Sequence, residues 1–291
     1  FIIGVLLLPN PIGTEIVFVD RGQTVLAVLA HGDDEVFLAP LLGHLCNDLN
    51  ADCHFLYTTM GEKGDSCYDN RPDCPDNETD YGLMRQAEIE NSMELFNSEL
   101  IQWDLGSSYW PGDTVEAYEN MTETKGSKET LIQEFSDVIS QVDPDIIFTF
   151  DPRHGATCHA DHRVAGHLVI EALKSINSDA QVFLAQGQGL PRVRKSEFVD
   201  KDHKYFNDVN MKYFDANVFS ETLQSEAWSY GFLYKQYYPS QIAESDIKAK
   251  VNANTFDRYK RNYILSLEDL DYIDNQYNVC SNGSASVLTA F

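Results

Sequence analysis

The chain has 291 residues, of which 43% are hydrophobic and 23% are charged, a composition that is ordinary for a soluble globular protein. Its net charge of −25 means that the phosphates of nucleic acids and anionic membranes would repel it, so neither is an expected partner. The apolar run at 1–8 is too short to span a bilayer, and no other stretch approaches the roughly 18 residues required.

Cysteines and glycosylation motifs indicate the compartment. The chain has six cysteines, an even number. Proximity in sequence favours pairing Cys46 with Cys53 and Cys67 with Cys74, which leaves Cys158 and Cys280 as the third pair. Three Asn-x-Ser/Thr motifs begin at Asn77, Asn120 and Asn282. Together these features predict a secreted, lumenal or periplasmic glycoprotein in an oxidising compartment.

Buried strands alternate with helical stretches up to about residue 186. The first half contains, in chain order, a strand at 24–30, a helix at 34–49, a strand at 53–60, a helix at 81–96 and a short strand at 100–103. Between the second strand and the second helix, a loop rich in Gly, Asp, Asn and Pro at 61–80 is long enough to indicate a functional role.

The second half continues the alternation. It contains a helix around 131–142, a strand at 145–150, a helix around 164–176 and a strand at 181–185. Strands without polar alternation, interleaved with amphipathic helices, predict a Rossmann-like, doubly wound α/β domain. Its sheet is mostly parallel with helices on both faces, and the C-terminal extension packs on the same domain.

Polar clusters follow the predicted strands. They are His31–Glu35 after the first strand, Gly61–Gly64 after the second, and Asp151–Gly155 with His159–His162 after a later one. Because ligands of open α/β sheets bind outside the carboxyl ends of the strands, we expect these clusters to converge on one crevice.

Two of these clusters have the spacing of a metal site. His31 and Asp34 are three residues apart at a strand-to-helix turn, and His159 and His162 are three apart at a helix start, where such residues share a face. Two histidines with one carboxylate form a common catalytic zinc shell. Asp33, beside a ligand, could then take a proton from a water that the metal activates.

Simpler interpretations remain open for each cluster alone. Asp33 and Asp34 could cap the following helix, since carboxylates stabilise helix N-termini. His159 and His162 could be surface residues. The metal hypothesis depends on the two clusters being neighbours.

These motifs resemble a known family. "AHGDDE" (Ala30–Glu35) is similar to the Ala-His-Pro-Asp-Asp-Glu signature of the PIG-L/LmbE-like deacetylases, and "HADH" (His159–His162) is similar to their His-x-Asp-His motif. "GEKG" (61–64), "RQAEIE" (85–90) and "YPSQ" (238–241) extend the resemblance. It divides the chain into an N-terminal segment at 1–23, a deacetylase domain at 24–245 and an extension at 246–291.

The resemblance implies a zinc-dependent hydrolase that removes N-acetyl groups from N-acetylglucosamine-containing glycans or glycoconjugates. The zinc ligands would be His31, Asp34 and His162, although other first-row divalent metals suit the same ligands. Asp33 would be the general base, and His159 would stabilise the oxyanion or protonate the amine, with Asp161 orienting it and favouring its protonated form. The predicted substrate-binding residues are Arg85, Glu62 and Arg153.

Two departures from the family pattern stand out, because Gly32 replaces the proline and Tyr238 stands where a C-terminal histidine is usual. Two other functions stay open: an amidase or deacylase of another acylated amino compound, and a non-catalytic glycan-binding protein. Aromatic residues are candidates for stacking on sugars, and the segment Trp228–Tyr238 is favoured over Tyr109 and Trp110.

Overall fold

The computed structural model describes residues 14–18, 21–64, 74–176, 178–186, 211–241, 260–267 and 280. Its strands are β1 (Thr14–Glu15), β2 (Thr24–Leu29), β3 (Asp52–Tyr57), β4 (Glu99–Gln102), β5 (Ile146–Phe150), β6 (Gln181–Ala185), β7 (Lys212–Asp215), β8 (Phe219–Ser220), β9 (Ser225–Glu226) and β10 (Arg261–Ser266). Eight of them form one sheet in the order β1-β7-β10-β6-β5-β2-β3-β4, while β8 and β9 form a separate pair.

The sheet is mostly parallel, which confirms the predicted doubly wound α/β fold. β2 pairs in parallel with both β3 and β5, and the outer pairs β3–β4, β5–β6 and β1–β7 are parallel as well. β10 is antiparallel to both of its neighbours, β6 and β7. The C-terminal extension therefore contributes a strand inside the sheet.

Helices cover both faces. They are α1 (Ala39–Gly43), α2 (Glu78–Phe96), α3 (Thr114–Lys125), α4 (Lys128–Val142), α5 (Gly155–Cys158), α6 (Ala160–Ser175) and α7 (Tyr230–Leu233). None of the helices in the described part of the chain has both the length and the apolar content needed to cross a membrane.

The predicted helix at 34–49 is instead three short pieces. A 3-10 turn at Asp34–Phe37 precedes α1, and a π-helical turn at His44–Asp48 follows it. Leu38 between the first two has φ −133°, outside the helical range, and Pro40 sits in the first turn of α1, where its missing N–H costs nothing. Sequence reasoning also missed α3, which Asp113 caps by accepting the N–H groups of Val115 and Glu116.

Alternate residues of β2 enter two separate cores. Val25, Ala27 and Leu29 pack on the side of α1 and α2, while Leu26 and Val28 pack on the side of α3, α4 and α6. All five are fully buried. This explains the unbroken apolar run of β2, since a central strand covered on both faces has no solvent-facing side.

The central strands also mark where the site lies. From β2 the chain proceeds to β3 and β4 on one side, and it later returns to β5 and β6 on the other side. The strand order therefore reverses between β2 and β5, and the crevice at their carboxyl ends is the usual ligand position in such sheets.

Disulfides tie distant segments to this sheet. Cys46 bonds to Cys53, and Cys158 bonds to Cys280 across 122 residues. Cys74 is also disulfide-bonded, while Cys67, its predicted partner, lies outside the described residues. The described disulfides are compatible with an oxidising compartment.

Candidate active site

The turn after β2 gives the neighbouring side chains of Asp33 and Asp34 different surroundings. Oδ2 of Asp34 accepts the backbone N–H groups of Ala30 at 3.0 Å and His31 at 2.8 Å, so Asp34 folds back onto the end of the strand. Asp33 has φ 85°, in the left-handed region that non-glycine residues rarely occupy, and its side chain makes no capping hydrogen bond. Capping therefore does not explain Asp33.

The second motif begins α6. His159 is the N-cap residue, and its Nδ1 accepts the N–H of Asp161 at 3.2 Å. Two non-glycine residues just before it, Ala156 and Cys158, both have φ 61°. The Ala160 N–H donates to the carbonyl of Pro111 at 2.9 Å, which ties this start of α6 to the β4–α3 loop.

The two motifs meet as predicted, and three of their side chains form a compact group. Ligand atoms of His31, Asp34 and His162 all lie within 4.8 Å of one another. Nε2 of His162 is 2.9 Å from Oδ1 of Asp34, and Nδ1 of His31 is 3.6 Å from Oδ2 of Asp34. The three residues are buried beneath a cavity of about 400 Å³ whose wall they share with Asp33 and His159.

Outer hydrogen bonds from one ring nitrogen of His31 and of His162 turn the other ring nitrogen of each histidine toward Asp34. Nε2 of His31 donates to Oδ2 of Asp161 at 2.9 Å, which leaves Nδ1 facing Asp34. Nδ1 of His162 donates to the Gly155 carbonyl at 2.8 Å, which leaves Nε2 facing Asp34. Metal-binding histidines usually donate their other nitrogen in this way, so the group fits a divalent metal such as zinc.

A second possible group shares His31 and adds His159 and Asp161. It is the weaker candidate because Oδ2 of Asp161 already accepts hydrogen bonds from His31 and from the Ser108 N–H at 2.8 Å. Asp161 was predicted to orient His159, but its carboxylate contacts His31 and the β4–α3 loop instead.

The buried carboxylates make this site attractive to positive charge. Burial alone lowers the pKa of His31, but hydrogen bonds to Asp161 and Asp34 outweigh it and raise that pKa to about 10. Burial raises the pKa of Asp34, yet His162 and His31 bring it well below its ordinary value. A cation at this position would interact favourably with the same carboxylates.

Asp33 is held by Arg85 at the cavity. Nη2 of Arg85 lies 3.2 Å from Oδ1 of Asp33 and donates to the Gly32 carbonyl at 2.5 Å, while Nη1 donates to the Gly61 carbonyl at 3.0 Å. Partial burial raises the pKa of Asp33 to about 6, although Arg85 opposes the rise. The Asp33 side chain is 35% exposed, so it is accessible to a substrate.

His159 differs from the sequence-based expectation of a protonated imidazole. Burial and the neighbouring His31 hold the pKa of His159 well below its ordinary value, and together they outweigh Asp161. Because Nδ1 accepts a backbone N–H, the neutral ring carries its proton on Nε2. His159 is therefore suited to donate a hydrogen bond rather than a proton.

The other predicted substrate-binding residues have different surroundings. Arg85 lines the cavity, whereas Glu62 accepts the N–H of Ser107 at 2.7 Å and supports the β4–α3 loop. Arg153 is buried and pairs with Asp151, its Nε and Nη2 each 2.6 Å from a carboxylate oxygen. Neither Glu62 nor Arg153 is among the cavity-lining residues.

The C-terminal "YPSQ" segment closes one side of the site. Tyr238 and Tyr57 both donate to Oε1 of Glu35, a fully buried carboxylate next to Asp34, and Ser92 donates to the same oxygen at 3.1 Å. The Ser240 N–H donates to Glu88 of α2 at 2.8 Å, and Gln241 lines the cavity. Periodicity on α2 gave no signal for Ser92 or Glu88.

The aromatic residues that are exposed at the cavity are not those that the sequence favoured for stacking on sugars. Tyr230, Tyr234 and Tyr238 are buried in the core, so most of the segment favoured for sugar stacking is structural. Tyr109 and Trp110, on the β4–α3 loop, line the cavity and are exposed.

Comparison with solved structures shows the same fold in enzymes of more than one kind. N,N'-diacetylchitobiose deacetylase from Pyrococcus horikoshii matches with 17% identity and a TM-score of 0.55, covering 86% of this chain and 85% of that one. A deacetylase of the A40926 pseudoaglycone matches with 14% identity and a TM-score of 0.56, covering 84% and 97%. A 4-carboxy-2-hydroxymuconate hydratase from Pseudomonas putida matches with 15% identity and a TM-score of 0.51, covering 81% and 82%.

No curated protein sequence matches the chain. A family model, PIG-L (GlcNAc-PI de-N-acetylase), matches residues 26–173, a range that contains both the His31–Asp34 turn and the His159–His162 motif. That match spans half of the chain and confirms the resemblance seen in the motifs. The chain belongs to the PIG-L family.

Proposed function

We propose that this protein is a zinc-dependent deacetylase that hydrolyses the N-acetyl group of N-acetylglucosamine-containing glycans or glycoconjugates. The supporting observation is the placement of His31, Asp34 and His162 beside a partly exposed Asp33 at one cavity. Family membership and the deacetylases among the structural neighbours support the reaction class.

Each side chain has a role in amide hydrolysis. His31, Asp34 and His162 would hold the metal, which when bound polarises a substrate carbonyl and lowers the pKa of water. Asp33 takes a proton from the attacking water and passes it to the amide nitrogen as the C–N bond breaks, releasing acetate and a free amine. Arg85 keeps the Asp33 carboxylate in place.

His159 stabilises the developing negative charge on the carbonyl oxygen. Its neutral ring donates from Nε2, since Nδ1 accepts the N–H of Asp161. A donor that is already fixed in position contributes strongly to transition-state stabilisation, because it needs no reorganisation.

We also propose an oxidising location, secreted or lumenal, for this protein. The described disulfides support it. Asn77 caps α2 from an exposed position and Asn120 lies on α3, whereas Asn282 lies outside the described residues.

The test pairs metal analysis with a product assay. Purified protein should contain about one zinc per chain and release amine and acetate from a panel of N-acetylated amino sugars. Asp33→Ala should retain zinc and lose roughly 100-fold or more of the rate, because the general base is gone. Asp137→Ala, an exposed carboxylate on α4, is the matched control.

Each other result favours a specific alternative. Release of longer acids in preference to acetate would indicate an amidase or deacylase of another acylated amino compound. Glycan binding without turnover under any divalent metal would indicate a non-catalytic glycan-binding protein. An Asp33→Ala variant with near wild-type activity would disprove the role of Asp33.

A further inference from the structure

We infer that Tyr109 and Trp110 form a stacking platform for a second pyranose ring. The substrate would then be a saccharide of at least two units, whose N-acetylated ring lies over the metal group. This inference rests on the proposed function and specifies its substrate class.

Exposure first singles out these two side chains. Among the described residues, the large hydrophobic side chains with the greatest exposure are Val17, Leu83, Tyr109, Trp110 and Phe219. Of these, Tyr109 is 62% exposed and Trp110 is 49% exposed, and both line the cavity that contains Asp33 and His159. Adjacent exposed aromatic residues at a polar cavity indicate a ligand surface, since most other aromatic rings in the described part of the chain are buried or partly buried.

Three hydrogen bonds hold the loop that carries the pair. The N–H of Ser107 donates to Glu62 at 2.7 Å, and Oγ of Ser107 accepts the N–H of Lys63 at 3.0 Å. On the far side, the carbonyl of Pro111 accepts the N–H of Ala160 at 2.9 Å. The platform is therefore pre-organised, so little conformational entropy is lost when a ring stacks on it.

The same loop limits the distance between the platform and the group of His31, Asp34 and His162. The N–H of Ser108 donates at 2.8 Å to Oδ2 of Asp161, which also accepts from His31 at 2.9 Å. Trp110 lies two positions after Ser108, at most about 7 Å of extended chain. The platform thus begins next to the reaction centre, in the position of the neighbouring sugar unit rather than of the acetylated one.

Charges around the platform favour a neutral ring. The hydroxyl of Tyr109 donates to a carboxylate oxygen of Glu78, and Nζ of Lys63 lies 5.7 Å from the centre of the Tyr109 ring. These polar groups can bind ring hydroxyls while the aromatic faces contact the apolar side of a sugar. Glu78 and Lys63 carry opposite charges, so the platform itself favours neither sign of charge on the second unit, and the net charge of −25 disfavours an acidic one.

The experiment compares a monosaccharide with its dimer. kcat/KM for deacetylation is measured with N-acetylglucosamine and with N,N'-diacetylchitobiose, for wild type, Trp110→Ala, Tyr109→Ala and Trp110→Phe. We expect a higher kcat/KM for the dimer in wild type. Trp110→Ala should reduce the ratio of kcat/KM for the dimer to kcat/KM for the monosaccharide about five- to tenfold, and Trp110→Phe should keep most of the wild-type ratio. Phe219→Ala, exposed but away from the cavity, should leave the ratio unchanged.

Binding to zinc-free protein separates this inference from the proposed function. Calorimetry should show tighter binding of the dimer than of the monomer, and Trp110→Ala should remove the difference. If zinc-free wild type prefers the dimer but zinc-loaded wild type releases no acetate, the proposed function is wrong and the stacking platform is still supported. Equal affinity of wild type for the two sugars, or an equal loss of affinity for both in Trp110→Ala, would contradict the stacking platform.

Discussion

Oδ2 of Asp161 accepts a hydrogen bond from Nε2 of His31 at 2.9 Å, and the same oxygen accepts the N–H of Ser108 at 2.8 Å. One buried atom thereby orients His31, the proposed metal ligand, and fixes the loop that lines the cavity. The carboxylate of Asp161, in the His-x-Asp-His motif, therefore contacts His31 of the first motif rather than the neighbouring His159.

Asp161→Ala should therefore weaken metal binding without unfolding the protein. Loss of the carboxylate frees His31 to rotate or to change its protonated nitrogen, and removal of such an outer partner typically costs about 10- to 100-fold in metal affinity. Competition with a chromogenic zinc chelator measures the change. Asp137→Ala serves as the control, and an unchanged zinc affinity in Asp161→Ala would contradict this role.

Arg85→Lys should lower kcat far more than it raises KM. The guanidinium bridges Asp33 and the carbonyls of Gly32 and Gly61, and a lysine ammonium cannot reach all three with the same geometry. Misplacing Asp33, the proposed general base, would slow the chemical step, whereas losing a sugar contact would mainly raise KM. Steady-state kinetics with one N-acetylated substrate distinguishes the two, and a change confined to KM would show that Arg85 mainly binds the sugar.

The strand–helix alternation and the two motifs were predictable from sequence because each is local. The apolar run of β2, the spacing of His31 and Asp34, and the helical periodicity of α4 and α6 all lie within one element. The meeting of the two motifs followed from the rule for carboxyl ends of parallel strands.

The remaining features depend on contacts distant in sequence, which no local pattern encodes. Strand β10 enters the sheet between β6 and β7 from the end of the chain, and Tyr238 reaches Glu35 across 203 residues. The contact of Asp161 with His31 could not be distinguished from one with His159 by spacing alone. Burial of Tyr230 and exposure of Trp110 likewise depend on which surfaces the tertiary fold covers.

Glycine at position 32, in place of the family's proline, is required by close packing. A Cβ atom there would lie 2.6 Å from Cγ1 of Ile89 and 2.9 Å from Cε1 of Tyr238. Gly32→Ala should lower the free energy of unfolding by about 1–3 kcal/mol, because the well-packed core has no room for the methyl group. Urea denaturation of the purified variant measures the loss.

Ile89→Ala should remove the shorter of these two close contacts. The Gly32→Ala/Ile89→Ala double variant should be more stable than the sum of the two single losses predicts, by about 1 kcal/mol. Leu131→Ala, on the opposite face of the sheet, provides the additive control. Additive losses for Gly32 and Ile89 would show that the backbone moves to accept the methyl group.

The two described disulfides should differ in their contribution to stability. Cys158 and Cys280 are separated by 122 residues, and Cys46 and Cys53 by 7. In the chain-entropy model, a longer closed loop restricts the unfolded chain more. The contributions of these two disulfides to the free energy of unfolding should therefore differ by ~2.5 kcal/mol. Cys158→Ala/Cys280→Ala should therefore lose more unfolding free energy than Cys46→Ala/Cys53→Ala.

Removal of the longer link should also reduce activity, because Cys158 directly precedes His159 and holds a positive φ of 61°. Without Cys280, that segment can relax from the left-handed region, and His159 loses its fixed position at the start of α6. We expect a lower kcat for Cys158→Ala/Cys280→Ala at a temperature where it remains folded, and wild-type kcat for Cys46→Ala/Cys53→Ala. Equal kcat values in both double variants would show that α6 alone holds His159 in place.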